Sequence, residues 1–267
     1  MKSLLTCLTT ACLSLAASQA IGQVPANPHA AYMEAGAKMQ ERIAQSAAKG
    51  DMPRITEPET RALLEVLSDS DRFLESQVYD AGNIGQLMEI CGQANRVSMA
   101  YALSGLKEHV APQATAEDIA RQMVSLMEAN IMSFPQELER LHPFLLRCLA
   151  TQIQPLTTFM ADLPPQELTP VRLAGLHQLR GGLVNSYAGN LSSIGNQALA
   201  PSYRRRVLRA MAESSPIFAS ALQLPTRQQI VEAATAILAD APADSRPDIE
   251  TIIKAMSDPD CTGLCAY

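Results

Sequence analysis

The sequence predicts an all-α protein, a helical bundle of roughly seven to nine helices behind a cleaved signal peptide, and three observations carry that expectation. Apolar residues recur three and four positions apart through long windows, the spacing that lines one face of a helix. Nearly every window is bounded by a capping residue, a Pro or a Gly placed where helices start and stop. No window shows the period-two alternation between hairpin turns that a half-buried strand requires. Composition agrees. Of 267 residues 47% are hydrophobic but only 4% aromatic, with no Trp, so core volume must come from Leu, Ile, Met and Ala, side chains suited to close helix packing.

The chain opens with Lys2, an apolar run from Leu4 to Ala17 too short to span a bilayer, and the small-residue site Ser18-Gln19-Ala20. That order matches the charged, apolar and cleavage parts of a secretory signal, removed after Ala20 or, as second choice, after Gly22. An uncleaved anchor is the competing reading; a lipoprotein site at Cys12 has too little apolar sequence ahead of it. The expected organisation is a signal peptide over 1–20, a lead, helix and linker over 21–55, the helical bundle over 56–257, and a cysteine-containing tail over 258–267. No later stretch offers the run of about 20 apolar residues that a stable membrane span needs.

The first mature helix reads from Pro28 to about Lys49, with Asn27 as cap and Gly50 as stop, and its shortage of large apolar residues makes it a candidate mobile arm. Thr56 and Glu59 read as a capping box for a short helix through Leu67, and Ser68 or Ser70 starts another through Tyr79. From Gly82 to His109, the residues Ile84, Leu87, Met88, Cys91, Ala94, Ser98 and Tyr101 share one face and mark a core helix. Thr115 opens a longer pattern through Ile119, Met123, Met127, Ile131, Leu138, Leu145, Cys148 and Leu156. Pro135, Pro143 and Pro155 interrupt it, each internal Pro removing a hydrogen bond at a cost of about 3 kcal/mol, so breaks are expected near Ser133 and at His142. Leu163-Pro164-Pro165 ends the run, and later helices read from Thr169-Pro170, over Tyr203 to Leu222, over Thr226 to Ala239 and over Ser245 to Met256.

Cys7 and Cys12 leave with the signal, so Cys91, Cys148, Cys261 and Cys265 mature in an oxidising compartment, where an even count means bridges. The favoured pairing joins Cys91 to Cys148, both on apolar faces of long helices, and Cys261 to Cys265 across the Thr262-Gly263-Leu264 turn; crossed pairs tying the tail to the core compete with it. The chain lacks the C-x-x-C spacing of thiolate metal and redox sites, and no cofactor is expected.

A net charge of −6 gives no attraction toward phosphate backbones, so nucleic acid is not an expected partner. Between Val171 and Leu199, Gly175, Gly182 and Gly189 recur every seven residues, a stripe that reads as tight internal helix packing, with a break allowed at Gly181-Gly182, or as an interaction surface or the lining of a ligand groove. Arg204, Arg205, Arg206 and Arg209 oppose the dipole at a helix start, which leaves a solvated ion-paired face or an anionic partner as their reason. His29, His109, His142 and His177 stand apart in no metal-binding frame and read as structural or surface residues. Ser104-Gly105-Leu106-Lys107 matches S-x-x-K without the companion elements of acyl-serine enzymes, and Glu137, Glu139, Asp118 and Glu128 read as ordinary exposed acids. Gln93, Asn95 and Arg96 on one helix and Gln178, Asn185, Ser186 and Tyr187 on the Gly-rich one would form a polar network or line a pocket if the two helices face each other.

These features favour a periplasmic or secreted accessory protein whose helical faces bind another protein of the cell envelope. The alternative is a helical carrier for an apolar or amphipathic small molecule, motivated by Met88, Met99, Met123, Met127 and Met132, because flexible thioethers adapt to varied ligands. A hydrolase with a dispersed active site is the third expectation.

Overall fold

Nine α-helices and no strand occur among the described residues of the computed structural model, which are 27–106 and 113–267. The segment expected to be a signal peptide, with its cleavage site, and Lys107 and His109 lie outside them. The helices are α1 (Pro28–Ala47), α2 (Pro58–Leu67), α3 (Ile84–Ala102), α4 (Ala116–Ser133), α5 (Pro135–Asp162), α6 (Pro170–Gly195), α7 (Pro201–Ala221), α8 (Leu224–Ala239) and α9 (Arg246–Ser257).

Local chemistry explains most boundaries. Asn27 caps α1 by accepting from the His29 amide at 3.1 Å, and Gly50 ends the segment at φ +75°, a left-handed conformation that only Gly adopts freely. Thr115 and Asp118 form a reciprocal capping box at α4, and Thr169 caps α6 ahead of Pro170. The box expected from Thr56 does not form. Pro58 occupies the first position of α2, and Glu57 precedes it with a carboxylate that accepts from the Arg54 amide and the Thr60 hydroxyl, both at 3.1 Å, and pairs with Arg42. The helix expected through Tyr79 is a single π-helical turn at Asp71–Glu75, and α3 stops at Ala102.

α5 runs unbroken through Pro143 and Pro155, contrary to the break expected at His142. Tertiary packing outweighs the lost hydrogen bonds. Leu138, Leu141, Phe144, Cys148, Ile153 and Met160 are all buried as α5 packs against both α3 and α7. α1 and α2 close one side of this centre and α8 with α9 the other. α1 is part of the core, burying Tyr32, Ala35 and Met39, and a Cβ on Gly36 would collide with the buried Gln93 side chain of α3. Two buried tyrosines satisfy their hydroxyls on main-chain carbonyls, Tyr32 on Leu67 O at 3.0 Å and Tyr101 on Pro53 O at 2.7 Å.

Cys91 and Cys148 lie at disulfide distance with Cα atoms 5.7 Å apart, tying α3 to α5, and Cys261 and Cys265 do so at 5.8 Å, closing the tail loop. Two buried arginines hold that tail. Arg227, 2% exposed, donates to Asp258 O at 2.6 Å and Asp260 O at 3.3 Å, while Arg180 donates to Ala221 O at 3.1 Å and to Leu264 O. No helix among the described residues is long and apolar enough to cross a membrane.

Candidate functional site

The repeating small residues of α6 leave that helix with only a narrow buried edge, Leu176, Arg180, Leu183, Tyr187, Leu191 and Ile194, set against α7 and α8. One of its flanks therefore stands across open space from α3, α4 and α5, and the resulting cleft has a volume of about 360 Å³. Each wall has its own chemistry. α3 presents Asn95, Ser98 and Met99, and α4 presents Val124, Met127, Glu128 and Ile131. α5 adds His142, Leu145 and Leu146, α6 adds Asn185, Ser186, Gly189 and Asn190, and Tyr203 enters from α7.

Burial separates floor from rim. Ser98, Ile131, Leu146 and Tyr203 are buried, whereas Asn95, Val124, Glu128, Asn185 and Gly189 are exposed. On the floor, His142 Nδ1 lies 2.7 Å from the Tyr203 hydroxyl, which is also hydrogen-bonded to Ser193. Desolvation lowers the His142 pKa to about 4 and raises that of Tyr203 above its ordinary value, so at neutral pH an uncharged imidazole and a protonated tyrosine share this hydrogen bond. Ser98 is 2% exposed, and its hydroxyl makes no hydrogen bond among the described residues. Among the described residues no Lys or Arg lines the cleft, and Glu128 makes no ion pair.

α4 forms its side of the cleft loosely. Only Asn130 and Ile131 are buried along its length, and the Asn130 amide anchors it by donating to Ala102 O and Ser104 O at 3.0 Å each. Met123, Leu126 and Met127 remain partly exposed on its apolar face. The helix thus covers the cleft from an attachment at one end.

The structure brings together the polar residues of α3 and α6 only in part. Asn95, Asn185 and Ser186 share the cleft, but Gln93 is buried and hydrogen-bonds Arg96, Tyr187 packs on Phe218, and Gln178 is exposed. Of the five methionines singled out, Met99 and Met127 line it. In the sequence His142 and Glu128 are unremarkable, since neither periodicity nor spacing reports that α5 and α4 turn them toward one space. Glu137 is no exposed acid: it is 3% exposed and accepts from the Ile55 amide at 2.8 Å.

The glycine stripe is not a packing seam. Gly175, Gly181, Gly182 and Gly189 are all exposed, α6 does not break at Gly181-Gly182, and a Cβ at any of the four meets nothing within 4 Å. The arginine cluster divides between two faces. Arg204 reaches Ile194 O at 3.4 Å and Arg205 pairs with Asp244 at 3.4 Å on one; Arg206 pairs with Glu139 at 3.6 Å on the other, where Arg209 joins Arg140 and Arg147 in a separate concavity.

The chain matches no protein-family model, no curated protein and no solved structure.

Proposed function

We propose that this protein is an exported carrier that holds a small amphipathic molecule in the cleft between α3, α4, α5 and α6. The observation that carries this reading is the make-up of the cleft. Met99, Met127, Ile131 and Leu146 offer an adaptable apolar surface, while Ser98 leaves an unpaired hydroxyl within the same walls. Its volume of about 360 Å³ falls within the range of about 300 to 1,000 Å³ that small-molecule sites occupy. Neutral groups prevail, so apolar area supplies affinity and hydroxyls and amides fix orientation. The two disulfide pairs are compatible with the oxidising periplasmic or extracellular setting that the signal peptide implies.

The test uses the neutral, environment-sensitive dye Nile red. One saturable site per chain is expected, competed by 1-octanol and lost on Gly189→Trp, which fills the mouth from an exposed position with open space around it. Dye binding that is absent, or unchanged in Gly189→Trp, overturns the reading.

The protein-interaction reading has its own observation, an apolar groove between α6 and α8 of about 400 Å³ lined by Ala188, Gly195, Ala233 and Ala236. It is the weaker of the two, because no buried polar group in that groove awaits a partner. The hydrolase reading gains nothing from His142, whose ring nitrogen meets a tyrosine hydroxyl and not a serine or a carboxylate.

A further inference from the structure

The charge pattern of the cleft narrows the class of molecule it takes. A site for a fatty acid or a phosphorylated lipid places an Arg or Lys against the anionic head, because burying an unpaired carboxylate or phosphate is costly. Among its described lining residues this cleft has none. His142 on its floor is neutral at physiological pH, already engaged by Tyr203, and supplies no positive charge. The rim amides of Asn95 and Asn185 are uncharged, which leaves the exposed carboxylate of Glu128 as the one charged side chain among the described residues lining the cleft. That carboxylate makes no ion pair among the described residues, although other acids of the same helix do: Glu117 and Asp118 both pair with Arg121, the former at 2.8 Å. The chain as a whole carries a net charge of −6 and adds to the bias against anions.

Resting on the carrier reading above, we propose that the ligand is a cationic amphiphile, with an alkyl or aryl body against Met99, Met127 and Leu146 and an ammonium head at the mouth beside Glu128. The Ser98 hydroxyl then accepts or donates to a polar group along the body. The selectivity is moderate, because Glu128 sits in solvent and a water-exposed ion pair is worth about a fivefold gain in affinity at low salt, less as salt rises.

The experiment measures displacement of Nile red from the intact mature protein by octylammonium, 1-octanol and octanoate at pH 7.5, in wild type and Glu128→Gln, at low and high salt. The expected order in wild type is octylammonium, then octanol, then octanoate, with an ammonium advantage of about fivefold over the alcohol that shrinks in high salt. In Glu128→Gln that advantage disappears while octanol binds as before. If octanoate competes as well as octylammonium, or the order survives Glu128→Gln, the charge assignment is overturned and the carrier reading stands, since octanol still enters. If none of the three displaces bound dye, the cleft is not the site and both fall.

Discussion

A neutral histidine on the floor of the cleft is a consequence of packing. α5 carries His142 one residue before an internal proline and turns it toward Tyr203 of α7, where the ring loses water without gaining a carboxylate. Desolvation disfavours the imidazolium, so the folded-state pKa falls from 6.5 to about 4. The sign of the linkage follows. Between those two values the unfolded chain binds the proton and the folded chain does not, so the stability His142 lends is fully present above the unfolded pKa and is lost as pH falls through the folded one. A proton NMR titration of the ring is expected to show His142 moving with a midpoint near 4, and the decline in stability between pH 6.5 and 4 is expected to flatten in His142→Gln. A His142 midpoint near 6.5 would show that the ring is hydrated and that Tyr203 does not engage it. The same residue shows where sequence reading stops: a lone histidine beside a proline carries no mark of the tyrosine 61 positions away that sets its chemistry.

At the scale of the helix, α6 separates what a pattern determines from what it leaves open. Glycines seven residues apart fall on nearly the same side of a helix, so the stripe was legible; which side the neighbours occupy was not. The buried edge is defined instead by Leu176, Arg180, Leu183, Tyr187, Leu191 and Ile194, and the glycines look outward. A Gly in a helix interior costs roughly 0.5 to 1 kcal/mol relative to Ala, and at Gly175 and Gly182 no packing constraint offsets that cost. Gly175→Ala and Gly182→Ala are therefore each expected to stabilise the protein by about 0.5 to 1 kcal/mol in urea denaturation, and because neither residue lines the cleft, dye affinity is expected to stay constant. Destabilisation by either substitution would mean that another surface packs on this flank. α5 teaches the complementary lesson. Its prolines signalled a break, yet the helix persists because both its long sides are buried against α3 and α7, a gain that no local propensity reveals.

The whole molecule is where the sequence spoke most clearly, in the all-α class and in the pairing of its four described cysteines, and where it was silent about which helices face one another across a cleft. Class follows from periodicity and caps, which are local, whereas Ser98, Glu128, His142 and Tyr203 meet only because four separate helices converge. The two cross-links act at different ranges in that assembly. Cys91 and Cys148 are 57 positions apart and join α3 to the central α5; Cys261 and Cys265 are 4 apart and constrain only the tail. Loop-closure entropy makes the long link worth about 4 kcal/mol and the short one about 2 kcal/mol, if the unfolded chain is taken as structureless. The tail is also held without its disulfide, by Arg227 on the carbonyls of Asp258 and Asp260 and by Arg180 on those of Ala221 and Leu264. Replacing Cys91 and Cys148 together by Ala is thus expected to lower the unfolding free energy by about 2 to 4 kcal/mol, and replacing Cys261 and Cys265 by no more than about 2 kcal/mol. Urea midpoints of the two double variants measure both losses. An equal or larger loss from the tail pair would place the weight of the assembly on the C-terminal clasp and not on the bond between α3 and α5.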